Sequence, residues 1–137
     1  MNGADDAVLA EDHQALVREG ARLYNGGEFW EAHEAWEEVW LQLREADRRE
    51  LADLLQALIL TTAAFENLDR GKPRGFATQG AKALHRLRGL GDRLPELGVA
   101  DGARFTEELL EAYLDVQRLG VDDLTELEAD PPDLVVD

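Results

Sequence analysis

The chain has 137 residues, 45% of them hydrophobic, which is the size of one domain and enough to bury about 65 to 70% of its unfolded surface. Its 30 acids against 14 bases give a net charge of -16, which disfavours nucleic acid as a partner of the molecule as a whole. The absence of cysteine excludes disulfides, thiolate zinc sites and thiol nucleophiles, and three histidines are a thin supply for any other metal centre.

The first predicted helix runs from about Asp6 to Tyr24, with Leu9, Leu16, Val17, Leu23 and Tyr24 at helical spacing; Asn25, Gly26 and Gly27 then suit a left-handed cap. A second helix covers about 28 to 46, opened by acids that suit the positive end of the helix dipole. The third, about 48 to 70, contains "LADLLQALILTTAAF" and is apolar nearly all round, so it should be central and packed on several sides. A Gly-Lys-Pro turn ends it. Pro73 suits the first turn of a fourth helix, about 73 to 90, with Phe76, Ala83, Leu84 and Leu87 inward. After a connector, a fifth helix spans about 103 to 119 with Phe105, Leu109, Tyr113 and Val116 on one face. Residues 120–137 read as an acidic tail with two prolines, extended and either frayed or lying across the bundle.

These elements predict an all-α fold, a single compact domain over 1–137 of about five helices in near-antiparallel hairpins around a central apolar helix. Its interior should contain Phe29, Trp36, Trp40, Leu55, Leu58, Ile59, Phe65, Leu84, Leu87, Leu109 and Tyr113. The stretches around Gly27 and Gly71 share a plan of helix end, glycine turn and new helix at an offset of 44 to 45 residues, though the consensus of 34-residue helical repeats is absent. The acidic amino terminus lacks a leader-like apolar run, and no stretch approaches about 18 uninterrupted apolar residues. A cytoplasmic location without membrane contact is expected.

The segment "FWEAHEAWEEVW", residues 29–40, sets one histidine among four glutamates and three tryptophans. At about 100° per residue, Phe29, Trp36, Trp40 and Leu43 form an apolar centre, and the tryptophans read as core. Glu31, Glu34, Glu38 and Glu45 fall towards the opposite pole and read as a solvated face. Along the edge, His33, Glu37 and Arg44 form a polar stripe hemmed by large apolar residues. On the third helix Glu66 falls between Leu55 and Ile59, an unusual place for a carboxylate without a partner, and Asn67 shares a polar line with Gln56.

The favoured reading is a structural polar network of His33, Glu37, Arg44 and Glu66 between the second and third helices, in a helical interaction or scaffold protein. On that reading His33→Ala strands a buried Glu37 at a cost on the order of 1 to 3 kcal/mol. The alternative is a small-ligand- or metal-binding protein or hydrolase-like enzyme, with a pocket lined by His33, Glu37, Arg44, Glu66 and Arg74. The balance leans against an enzyme. "HEAWE" is not the His-Glu-x-x-His of a zincin, neither His33 nor His85 ends a Glu-x-x-His motif, and the chain contains no serine nucleophile. No metal or cofactor is expected.

From Arg70 to Arg93 seven bases face one acid, a net +6 segment within a -22 remainder. Arg74, Lys82, Arg86 and Arg93, at spacings of 8, 4 and 7, are expected to share a candidate anion-binding face. Global repulsion favours an internal or dimer-forming role for this face, complementing the acidic face of the second helix or the acidic tail, over RNA or a phosphorylated metabolite. A homodimer or a protein partner follows from that preference.

"GEFWEAHEAWEEVW", a long apolar helix containing Gln56, and "RGKPRG" together resemble the domain of unknown function 309 family over about residues 16–90. The matching positions are His33, Glu34, Glu37, Trp40, Gln56 and Arg70 to Gly75. The resemblance implies an all-helical domain of about five helices and no established activity. Family members often carry a histidine near the end of the third helix, where this chain has Glu66 and Asn67, and Lys72 stands where asparagine is expected. A family-wide metal site using that histidine is therefore not expected here.

Overall fold

The computed structural model describes residues 10–119 and 131–137. Five α-helices form among them: α1 (Glu11–Asn25), α2 (Phe29–Glu45), α3 (Arg49–Asp69), α4 (Pro73–Leu90) and α5 (Gly102–Leu119). A 3-10 turn, Gly91–Arg93, follows α4. Strands β1 (Val99–Ala100) and β2 (Val135–Val136) pair antiparallel, with Val99 opposite Val136. The all-α expectation holds, with boundaries within a residue or so for α2 to α5. The predicted start of the first helix at Asp6 lies outside the described residues, as does 120–130 of the tail; Ala10 is extended, just before the helix begins.

Three of the four helix connections close in the same way. Glu28, Arg48 and Lys72 donate their backbone N–H to the carbonyls of Leu23, Leu43 and Asn67, and the residue before each donor bonds Tyr24, Arg44 or Leu68. This double bond caps the orphan carbonyls of the preceding helix and needs a left-handed residue at its corner. Gly27, Asp47 and Gly71 fill that role, at φ 81°, 55° and 72°. The likeness seen between the Gly27 and Gly71 stretches is therefore a shared turn geometry. Such tight turns bring α1 to α4 together as successive packed neighbours.

α3 packs against both α2 and α4, and buries Leu51, Leu54, Leu55, Leu58, Ala64 and Phe65. It is the described helix whose length and composition would suit a membrane span, and its apolarity is accounted for by burial in the bundle. Phe29 stacks on Phe65, which meets Phe76 edge-on, so a row of rings links α2, α3 and α4. Of the expected interior, Trp40, Ile59 and Tyr113 are only partly buried, at the rim of this core.

α1 is held by Trp36, whose fully buried indole donates to the Val17 carbonyl at 3.1 Å. The ring can approach because position 20 is glycine: a Cβ there would lie 2.2 Å from the indole nitrogen. Gly20→Ala is expected to cost about 2 to 3 kcal/mol, through overpacking and a displaced hydrogen bond, read as a lower urea midpoint.

Residues 131–137 lie across the bundle, one of the two courses open to the tail. Leu134 is buried, and Asn25 clamps it by donating to its carbonyl and accepting from its N–H, both at 2.9 Å. Arg104 donates to the Asp133 carbonyl and Tyr24 to that of Pro132 at 2.8 Å. Burial, with Asp133 and Glu108 nearby, pushes the Tyr24 phenol well above the usual tyrosine range. A raised folded-state value means this stability is fully present below the unfolded tyrosine's pKa of about 10 and is lost as pH rises through the folded value. Tyr24→Phe should cost about 1 to 2 kcal/mol at neutral pH and flatten the alkaline fall, measured by urea unfolding at pH 7 and above 10.

Candidate functional site

α2 turns Phe29, Ala32, Trp36, Val39 and Leu43 inward, which leaves Trp30, Glu34, Glu37 and Leu41 in a line along its outer surface. Trp30 is 54% and Leu41 40% exposed, large apolar groups open to water at either end of that line. Between and beside them His33, Glu34, Glu37 and Glu38 complete the lining of a shallow cavity of about 400 Å³.

His33 Nε2 meets Glu37 Oε2 at 2.9 Å, one turn along the same helix, with the side chains 29% and 49% exposed. The Trp30 ring stands edge-on to the imidazole, 5.8 Å between centroids. The pair therefore belongs to the outer surface of α2. Arg44 instead lies over the Trp40 ring, 4.9 Å from its centroid. Glu66 pairs at 2.8 Å with Arg70, one turn further along at the end of α3. The expected four-residue network is thus three separate local contacts. The helical wheel places each polar group beside large apolar side chains, but such a neighbour at a helix edge can touch a polar group without burying it.

Asn67 also has a local role, donating from its side chain to the Ala63 carbonyl at 2.9 Å. Gly75 comes so close that an added Cβ would lie 2.6 Å from the Asn67 carboxamide carbon. In "RGKPRG" the two glycines thus have different physical tasks: Gly71 supplies the left-handed corner and Gly75 makes room for Asn67. Arg74 is exposed at the start of α4. It does not line the cavity on α2, nor do Arg44, Trp40, Glu66 or Asn67.

The expected basic face divides as well. Arg86 pairs with Asp53 at 2.9 Å, and Arg93 with Glu50 at 2.9 Å and with Glu96 of its own connector at 3.0 Å, so these two neutralise the acidic edge of α3. Their complement is internal, but on α3 rather than α2. Arg74 and Lys82 point outward. Counting about 100° per residue from Arg74 puts Arg86 about 120° away, whereas His85 and Arg88 fall within about 40°. Those two exposed residues belong to the outer face and were missed by following spacings of bases without testing each against the wheel.

A family model described as a domain of unknown function (DUF309) matches residues 17–79. Over those residues the chain is similar to the DUF309 family, as the motif suggested. The match takes in the whole of α2 and α3 and ends within α4. No curated protein and no solved structure matches the chain. Within the DUF309 segment, the His-Glu-x-x-Glu-x-x-Trp element lays out as His33 and Glu37 paired on the surface, Glu34 solvated and Trp40 half-buried. Among the described residues no group of three or more His, Asp or Glu side chains is arranged to hold a metal ion.

A solvent-accessible polar pair one helical turn apart contributes only a few tenths of a kcal/mol. His33→Ala should therefore change unfolding free energy by less than about 0.5 kcal/mol, measured by urea denaturation at pH 7, since it strands no buried carboxylate.

Proposed function

We propose that the chain is a cytoplasmic helical interaction domain that docks a protein partner on the outer face of α2. The observation carrying this reading is the pairing of exposed Trp30 and Leu41 with the carboxylates of Glu34, Glu37 and Glu38 around one shallow cavity. Exposed apolar groups of that size rimmed by polar ones mark interaction surfaces, and tryptophan is enriched among residues that anchor interfaces. The surrounding charge selects a partner that brings bases beside an apolar or small-residue surface.

A ligand-binding or catalytic use of the same cavity gains one point from His33 and Glu37 lying side by side within it. The geometry favours docking, because the imidazole nitrogen nearest Glu37 is already engaged, and Arg44 and Glu66, the other groups of that reading, lie outside the lining. Carboxylates open to water on a helix face suit attraction of a cation better than proton transfer in a closed site.

A synthetic amphipathic helix of leucine and lysine is a suitable probe. Calorimetry should show binding that weakens on the order of tenfold in Trp30→Ala and Leu41→Ala, both of which leave the net charge untouched. Equal affinity in those variants would mean that only bulk charge is being read, and the proposal would fail.

A further inference from the structure

The outer face of α4 has the charge that the outer face of α2 lacks. α4 contains no acid. Its exposed residues are Arg74, Thr78, Ala81, Lys82, His85, Arg88 and Gly89, and they share one side of the helix. Unlike Arg86, the side chains of Arg74, Lys82 and Arg88 have no ion pair among the described residues. The outer half of α2 carries Glu31, Glu34, Glu37, Glu38 and Glu45 against Arg44 alone. Both helices are about 25 Å long.

The faces also complement each other in shape. The large groups on α2, Trp30 and Leu41, are eleven positions apart; the small residues Thr78 and Gly89 on α4 have the same separation, with Ala81 between them. A helix offering two large knobs thus matches a helix offering shallow seats at the same rise. Within one molecule the two faces do not meet, because each helix turns its inner side to α3.

We propose that the partner of the α2 face is a second copy of this chain, seated through its α4 face, so that molecules associate head to tail. This rests on the reading of α2 as a docking surface and names the occupant. Joining two different patches makes the contact heterologous, and it repeats into rings or open chains unless the rotation closes. A contact between single helix faces is smaller than a standard stable interface, so association should be weak and evident only at high protein concentration.

Sedimentation velocity from about 10 μM to 1 mM in 0.15 M salt tests this, because screening there confines charge effects to about 8 Å. The wild type should associate reversibly. Lys82→Glu with Arg88→Glu takes the net charge from -16 to -20, and Glu34→Lys with Glu38→Lys takes it to -12. Each pair should weaken association on the order of 100-fold, and an equimolar mixture of the two should form a complex again, since the unaltered α2 of one variant meets the unaltered α4 of the other and the two reversed faces also match. If repulsion between whole molecules governed association, the -12 variant would associate more strongly than wild type; local docking requires the opposite.

A wild type that stays monomeric at 1 mM, reversals without effect, or a mixture that fails to restore the complex would overturn the proposal. So would monomeric protein that retains a generic RNA in 0.15 M salt and loses it with Lys82→Glu and Arg88→Glu, which would make α4 a polyanion site. The leucine-lysine peptide separates this outcome from the parent reading: a monomeric protein that still binds the peptide through Trp30 keeps the α2 docking face and loses only the second copy as its occupant.

Discussion

The constraint on which the architecture depends is that α3 is apolar almost all round. A helix of this kind cannot leave a broad side in water, so neighbours must flank it, and the short turns before and after it deliver α2 and α4. Those flanking helices spend their apolar sides on α3. What α1 and α5 leave uncovered of their opposite sides is open to other molecules. The location of the candidate site follows from this: it lies on the outside of a helix whose inside is fully committed to the core.

Close approach is paid for by small residues at specific places. Gly20 admits the Trp36 indole against α1, and Gly75 admits the Asn67 side chain against the start of α4. Both contacts use a ring or a planar amide, shapes that need a flat gap rather than a deep hole. The three left-handed corners at Gly27, Asp47 and Gly71 fix the directions in which the helices leave, so turn geometry and packing specify the same arrangement. Asp47 holds this conformation without being glycine, as short polar residues can.

Much of the helical layout was legible because its signals are periodic and local: apolar spacing gave the helices, and glycines and Pro73 gave their ends. Side-chain partnership was less legible. The wheel put His33, Glu37, Arg44 and Glu66 near large apolar residues, but nearness on a wheel does not say whether a neighbouring helix covers the spot. Trp30 shows the difference: read as core with Trp36 and Trp40, it lies about 100° around the helix from Phe29, off the buried stripe, and no described helix covers it. The seat of 131–137 was equally hidden, because Asn25, Tyr24 and Arg104 bind its backbone carbonyls, which every sequence possesses.

The net charge of -16 and the basic outer face of α4 are compatible because charge acts over different distances. Beyond about 8 Å, at physiological salt, the individual charges of one molecule are largely screened from another. At contact, what matters is the pair of faces that meet. Acid-to-acid approaches are then penalised over most of the surface, while an approach that presents Arg74, Lys82 and Arg88 to an acidic face is attractive. A strong acidic excess therefore makes the basic strip more selective than it would be on a neutral protein, because nearly every other orientation carries a repulsive cost.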